Sequence, residues 1–296
     1  MLLTRFAFIA SLVSMALAKG SFMPYLPEEV LADLAKRDPS EYETFALQNS
    51  SSTLAERGAP NGLNGIQDRC TASHCVSPSF DDGPYNNMRK IVDTADAAGF
   101  KVTFFVNANN YDCIYNERRV ADLKYAYSHG HQICSHTASH PHLNSLTPAQ
   151  IDTQVQVVET ALYKILGVVP ACIRPPYGEA NQAVVDQLNN KWGYVVINWN
   201  FDTQDADGAT VKYSESVIDK IKSPKHAIIL MHETVDTTAN TVFPYAIKKL
   251  QQNGYQTKDF YTVPNGLKFN GYKVVGKPSQ RDSSWTCKGM PQPSDN

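Results

Sequence analysis

The chain has 296 residues, 42% of them hydrophobic, with 27 basic against 29 acidic residues and a net charge of −2. That length and apolar content suffice for one large buried core. The near-neutral balance excludes the electrostatic footprint of a nucleic-acid binder or of a protein held on an anionic membrane, and a neutral substrate fits it better.

Residues 1–18 hold one basic residue, Arg5, then an apolar run from Phe6 to Leu17, then Ala16-Leu17-Ala18. These are the parts of a secretory signal peptide in order, closing on a small-x-small cleavage pattern. No other stretch approaches the ~18 apolar residues that a membrane span needs. We therefore expect a secreted protein, extracellular or in the cell wall, and a monomer. Export permits disulfides among Cys70, Cys75, Cys113, Cys134, Cys172 and Cys287. None lies in a Cys-x-x-Cys pair, which argues against a thiolate zinc site. Cys70–Cys287 is the first expected bond, tying the C-terminal segment to the main domain.

Residues 19–69 are polar and read as a leader or linker, partly disordered, with one short helical pattern in PEEVLADLAKR. Its Lys36-Arg37 pair suits a processing protease, and Asn49-Ser50-Ser51 is a glycosylation sequon.

From 70 to 254 the texture changes. VSPSF, KVTFFVN, HQICS, VVPACIR, YVVINWN and HAIILM alternate with amphipathic stretches such as NNMRKIVDTADAAG and TPAQIDTQVQVVETALYKILG. Alternation of this kind predicts βα units and an α/β fold, an irregular (β/α) barrel of about seven parallel strands. In such barrels the chemistry gathers at the C-terminal ends of the strands. Residues 255–296 have few helix signals and are expected to wrap back over the domain.

Several chemistry-bearing residues follow strands directly. Asp81 and Asp82 come after VSPSF, and two adjacent carboxylates call for a compensating positive charge. His136 and His140, after HQIC, are four apart; on a first helical turn both imidazoles would share one face. Two imidazoles and one carboxylate form a common three-ligand zinc set. IRPPYG is a rigid turn able to aim a backbone N–H at an oxyanion. NWNFDTQDADG offers Asp202 and Asp205, and His232 ends AIILMH, placed for a general acid. His131 reads as a core residue and His142 as lying off the helical face. Tyr85, Tyr111 and Tyr177, beside these motifs, are candidates to stack on a ligand ring, whereas core packing suits Trp199 better. Nothing matches Gly-x-Ser-x-Gly, so a serine hydrolase of that type has no support.

The ordered set SFDDGP, HTASH, RPPYG, DTQDA and LMH resembles the five motifs of the polysaccharide deacetylases, carbohydrate esterase family 4, and among them fungal chitin deacetylases. The resemblance covers about residues 75–255. It implies metal-dependent removal of N-acetyl groups from chitin or chito-oligosaccharides, giving chitosan and acetate. It makes Asp81 the base, with Arg174 pairing it, and Asp82, His136 and His140 the ligands of Zn2+, for which ions such as Co2+ can substitute. The Tyr177 N–H would meet the oxyanion, His232 would be the acid oriented by Asp205, and Leu230 would line the acetyl pocket. Ser79 stands where the family usually has Thr, a mild change. Ala206 stands where it has Trp, which predicts a wider pocket or one filled from Trp199 or Phe201. An esterase acting on O-acetyl xylan would use the same residues, and a silent wall-binding protein could keep the fold.

Overall fold

The structure, a computed structural model, describes residues 28–37 and 59–293. The expected signal peptide, the sequon at Asn49 and most of the stretch read as a leader lie outside the described residues. In chain order the elements are helix α1 (Glu28–Arg37), strands β1 (Ile66–Gln67) and β2 (Val76–Gly83), α2 (Met88–Ala97), β3 (Thr103–Val106), α3 (Glu117–Ser128) and β4 (Gln132–Ser135). The long α4 (Pro148–Leu166) leads to β5 (Val168–Pro170), β6 (Cys172–Ile173), α5 (Gln182–Asp186), β7 (Val195–Ile197) and β8 (Phe201–Asp202). The chain continues through α6 (Val211–Asp219), β9 (Ala227–His232), α7 (Phe243–Gln252), α8 (Val263–Leu267) and β10 (Tyr272–Val275).

Local signals set these boundaries. Thr147 and Gln150 form a capping box before α4, Pro148 sits in its first turn, and Gly167 ends it in the left-handed conformation. Ile151, Val155, Val158, Leu162 and Ile165 give α4 a buried stripe at helical spacing.

The main sheet runs β1-β7-β6-β4-β3-β2-β9-β8, and its strand pairs are all parallel. Helices cover it, which is why β2 is buried at every position, its serines and aspartates included. It has eight strands among the described residues where about seven were expected; β1 and β8 are two residues long and too short to show a period. β1 belongs to the stretch read as leader, so the sheet takes in residues N-terminal to 70. β7 and β8 lie towards opposite ends of the strand order, yet only residues 198–200 join them. Four Cα steps span at most about 14 Å. The sheet must therefore curl until these ends nearly meet, forming an irregular (β/α) barrel.

The disulfides are Cys70–Cys75, Cys113–Cys287 and Cys134–Cys172. The expected Cys70–Cys287 bond is not formed, because Cys70 and Cys75 flank the turn that enters β2, with Cα atoms 6.1 Å apart. The C-terminal segment is nonetheless tied to the barrel, through Cys113 on the loop after β3. In this segment β10 pairs antiparallel with β5, and the Lys273 ammonium is buried against Glu159 of α4.

Candidate active site

Parallel strands deliver their C-terminal ends to one rim of the barrel, and the motif residues collect there. β2 and β9 are neighbours in register, with Asp81 opposite His232. β2 extends further than VSPSF and includes both aspartates. In a regular strand, consecutive side chains point to opposite faces. Asp82 breaks the alternation with φ +71°, where the β2–β3 register shifts. Both carboxylates thus reach one centre: His136 Nε2 lies 3.7 Å from Asp81 Oδ2 and 3.6 Å from Asp82 Oδ1. Gly83 allows the next close approach, since a Cβ there would come within 2.6 Å of the Glu233 carboxylate.

His140 Nε2 is 3.5 Å from Asp82 Oδ1, which completes the triad. The helical turn expected for His136 and His140 is absent. Residues 136–140 form a loop that passes through the left-handed region at Thr137 and His140. Its carbonyls are taken from outside instead of closing helical bonds. Asn107 Nδ2 donates to the His136 and Thr137 carbonyls, and the amides of Ala108 and Asn109 donate to Ala138 O. The two imidazoles still meet, with ring centroids 4.9 Å apart.

The protonation pattern suits a cation. Burial holds both imidazoles neutral, with pKa values near 3, and His136 Nδ1 donates to the Arg174 carbonyl at 2.7 Å, leaving Nε2 as the free lone pair. Burial raises Asp82 to about 6, helped by its neighbour Asp81. Asp82 Oδ1 is buried and accepts no hydrogen bond among the described residues. Two neutral nitrogens, one orphaned carboxylate oxygen and ligand atoms all within 4.8 Å of one another fit a divalent metal.

Around this centre, burial raises Asp81, and Arg174 opposes the effect by donating to its Oδ1 at 2.6 Å. Arg174 is fully buried, over the Phe105 ring, and also donates to Ser79 Oγ. Ser79 Oγ in turn donates to the Ile229 carbonyl at 2.8 Å, so the hydroxyl at this position is in use. His232 Nδ1 is 2.8 Å from Asp205 Oδ1. Burial works against charge on His232, but the Asp205 hydrogen bond and the surrounding carboxylates outweigh it and lift its pKa to about 9. Asp205 also accepts from the His232 amide and from Thr238.

Tyr177 adopts φ +59° within Pro176–Gly178, a conformation that costs a non-glycine residue about 1–3 kcal/mol unless its surroundings fix it. Leu230 is buried two positions before His232 in β9. Ala206 is exposed in the turn after Asp205. Neither aromatic named for its place is committed to it: Trp199 packs on Gly178 and near Arg174, while Phe201 lies beneath Lys225. Tyr85 and Tyr111 form a ring pair at 5.6 Å. His131 is buried and bonded to Asp96, as a core histidine.

Three supporting residues escaped the sequence reading. Asn107 fixes the histidine loop. Glu233, fully buried, accepts the Tyr85 and Asn87 amides. His142, set aside as off-face, stacks on Tyr177 at 3.9 Å. Only Glu233 carried a signal, a carboxylate beside His232 at the end of a buried strand.

A family description, polysaccharide deacetylase, matches residues 68–197. The chain is 32% identical over 248 residues to a chitin deacetylase of Pestalotiopsis sp, covering 83% of this chain and 82% of that one. It is 30% identical over 222 residues to a chitin deacetylase of Colletotrichum lindemuthianum, covering 72% and 88%. The solved structure of the chitin deacetylase from that fungal pathogen superposes with a TM-score of 0.67 at 26% identity, over 72% of this chain and 97% of that one. The peptidoglycan deacetylase PdaC from Bacillus subtilis gives 0.57 at 26%, over 66% and 90%.

Proposed function

Because this chain belongs to the polysaccharide deacetylase family, we propose that it removes N-acetyl groups from chitin or chito-oligosaccharides, giving chitosan and acetate. The observation that carries the reading is the orphaned Asp82 oxygen facing two neutral imidazoles, at a rim where Asp81 and His232 stand in register. The kinship to two fungal chitin deacetylases supports the choice of polymer. Three disulfides are consistent with secretion.

Asp82, His136 and His140 would hold a divalent metal, with zinc the first choice for a His2Asp set. When bound, it supplies Lewis-acid polarisation of the acetyl carbonyl and a lowered pKa for the attacking water. Asp81 takes the proton of that water; Arg174 holds its carboxylate in place and favours the anion against burial. The Tyr177 N–H donates to the developing oxyanion. An amine is too basic to leave unprotonated, so His232 gives it a proton, and Asp205 keeps that imidazole charged beforehand. Leu230 lines the space for the acetyl methyl. With Ala in place of the family's Trp at 206, this pocket should also accept acyl groups larger than acetyl.

The test is acetate release from chitin oligomers and from acetylated xylan, with and without chelator, beside metal analysis of His136→Ala and His140→Ala. We expect chelator-sensitive release from chitin oligomers and metal-depleted variants. Full metal occupancy in both variants refutes the ligand set. Release from xylan alone makes the chain an O-acetyl esterase, and none from either substrate with metal bound makes it a wall-binding protein.

A further inference from the structure

The loop after β4 and the loop after β6 belong to neighbouring strands, and they are joined above the site by residues outside the five motifs. His142 lies flat on the Tyr177 ring, with centroids 3.9 Å apart and planes 12° from parallel. His142 Nδ1 is 3.0 Å from Glu179 Oε2. Asn144 Oδ1 accepts the Asn181 amide at 2.7 Å, a second link between the same loops. On the opposite side the Tyr177 turn is gripped from the link after β7: Asn198 Nδ2 donates to the Gly178 carbonyl at 2.9 Å, and the Trp199 ring crowds Gly178.

Tyr177 is 40% exposed and left-handed. A non-glycine residue keeps that backbone only where its neighbours over-determine it. The contacts from Asn198 and Trp199 hold the carbonyl end of the turn, while the Tyr177 ring meets the edge of His140 at 4.6 Å on the metal side and is covered face-on by His142. The pair His142–Glu179 is half-exposed, so the hydrogen bond between them orients the ring more than it stabilises the fold.

We propose that His142 is a positioning residue: its ring, oriented by Glu179, pins Tyr177 in the left-handed turn that aims its N–H at the oxyanion. This rests on the deacetylase reading above. The ring acts as a flat surface, so an aromatic replacement should serve.

The experiment compares His142→Ser, His142→Phe and Glu179→Gln with the unsubstituted chain. Readouts are kcat and KM on a chitin oligomer and hydrogen exchange at the Gly178 and Glu179 amides, which close the turn onto Pro175 O and Pro176 O. We expect His142→Ser to lose roughly tenfold in kcat, as a slightly misplaced donor would, with KM unchanged and faster exchange at both amides. His142→Phe should restore both readouts, and Glu179→Gln should lose less than His142→Ser. The proposal is overturned if His142→Ser raises KM and leaves kcat alone, which would put the ring against sugar, or if Phe is no better than Ser. Exchange is read without turnover. Should the unsubstituted chain release no acetate, the deacetylase reading fails by itself, and unchanged exchange in His142→Ser still rejects the pin.

Discussion

Among the buried carboxylates of the described residues, those in two regions are treated in opposite ways. Beneath the C-terminal segment, Glu159 is fully buried with its own cation, Lys273. That ammonium also donates to the Trp192 carbonyl at 2.8 Å and sits over the Tyr194 ring. At the barrel rim Asp81 has Arg174 and Asp205 has His232, but Asp82 faces two imidazoles that burial keeps neutral. An isolated buried charge is costly. Where the chain supplies the counter-charge the carboxylate is compensated from within, and where it supplies neutral nitrogens it leaves room for a cation from outside.

The largest effect should come from dividing the rim pair. Asp81→Asn is expected to keep its metal and lose about 10³-fold or more in kcat, as removal of a general base does. Asp82→Asn should lose the metal as well. Elemental analysis beside turnover decides, and equal metal loss in the two variants would break the contrast drawn between them.

Next in size is the closed pair. Lys273→Met strands the Glu159 carboxylate and should cost about 3–5 kcal/mol in denaturant unfolding. Combining it with Glu159→Gln should recover much of that, with metal content unchanged throughout. A double variant as unstable as the single one would mean that the pair is not the unit of stability there.

The Cys113–Cys287 bond connects the two regions, since it fastens the loop that carries Tyr111 to the C-terminal segment. Cys287→Ser should lower stability by about 3 kcal/mol and raise KM for oligomers. An unchanged KM would separate the tail from the rim.

A smaller effect tests the charge on His232. In metal-free protein its imidazole should titrate near 9 by NMR. Because that is above the ordinary 6.5, the stability it contributes is complete below about 6.5 and is lost as pH climbs through about 9. Asp205→Asn should move the titration down; no movement would detach Asp205 from the role given to it. Smallest of all, Ala206→Trp should narrow the tolerance for N-propionyl over N-acetyl substrates. An unchanged preference would show that the exposed position 206 does not shape the pocket.

Much of this was legible in the chain. The βα alternation pointed to the barrel because short buried strands such as TFFV and AIILMH stand between amphipathic helices, and strand ends pointed to Asp81, Asp82, His136, His140 and His232. What could not be read depends on backbone conformations without a periodic signature. The left-handed Asp82 that turns both carboxylates inward, and the non-helical loop that brings the histidines together, are imposed by Asn107 and by the strand beside them. The disulfide partner of Cys287 was misjudged because sequence separation says nothing of which loop lies beneath the returning tail. His142 escaped because its partner, Tyr177, belongs to another strand.

The register of β2 with β9 carries a consequence for how the protein is made. Asp81 lies on the first long strand and His232, its neighbour in the ladder, on the last strand of the barrel. A ribosome delivers the first well before the second. Until β9 has emerged, β2 has an open edge, and Asp81 stands without His232 opposite it. No amino-terminal fragment that ends before residue 232 can pair the two, so the rim is assembled only in a chain translated at least through His232 and closed on itself.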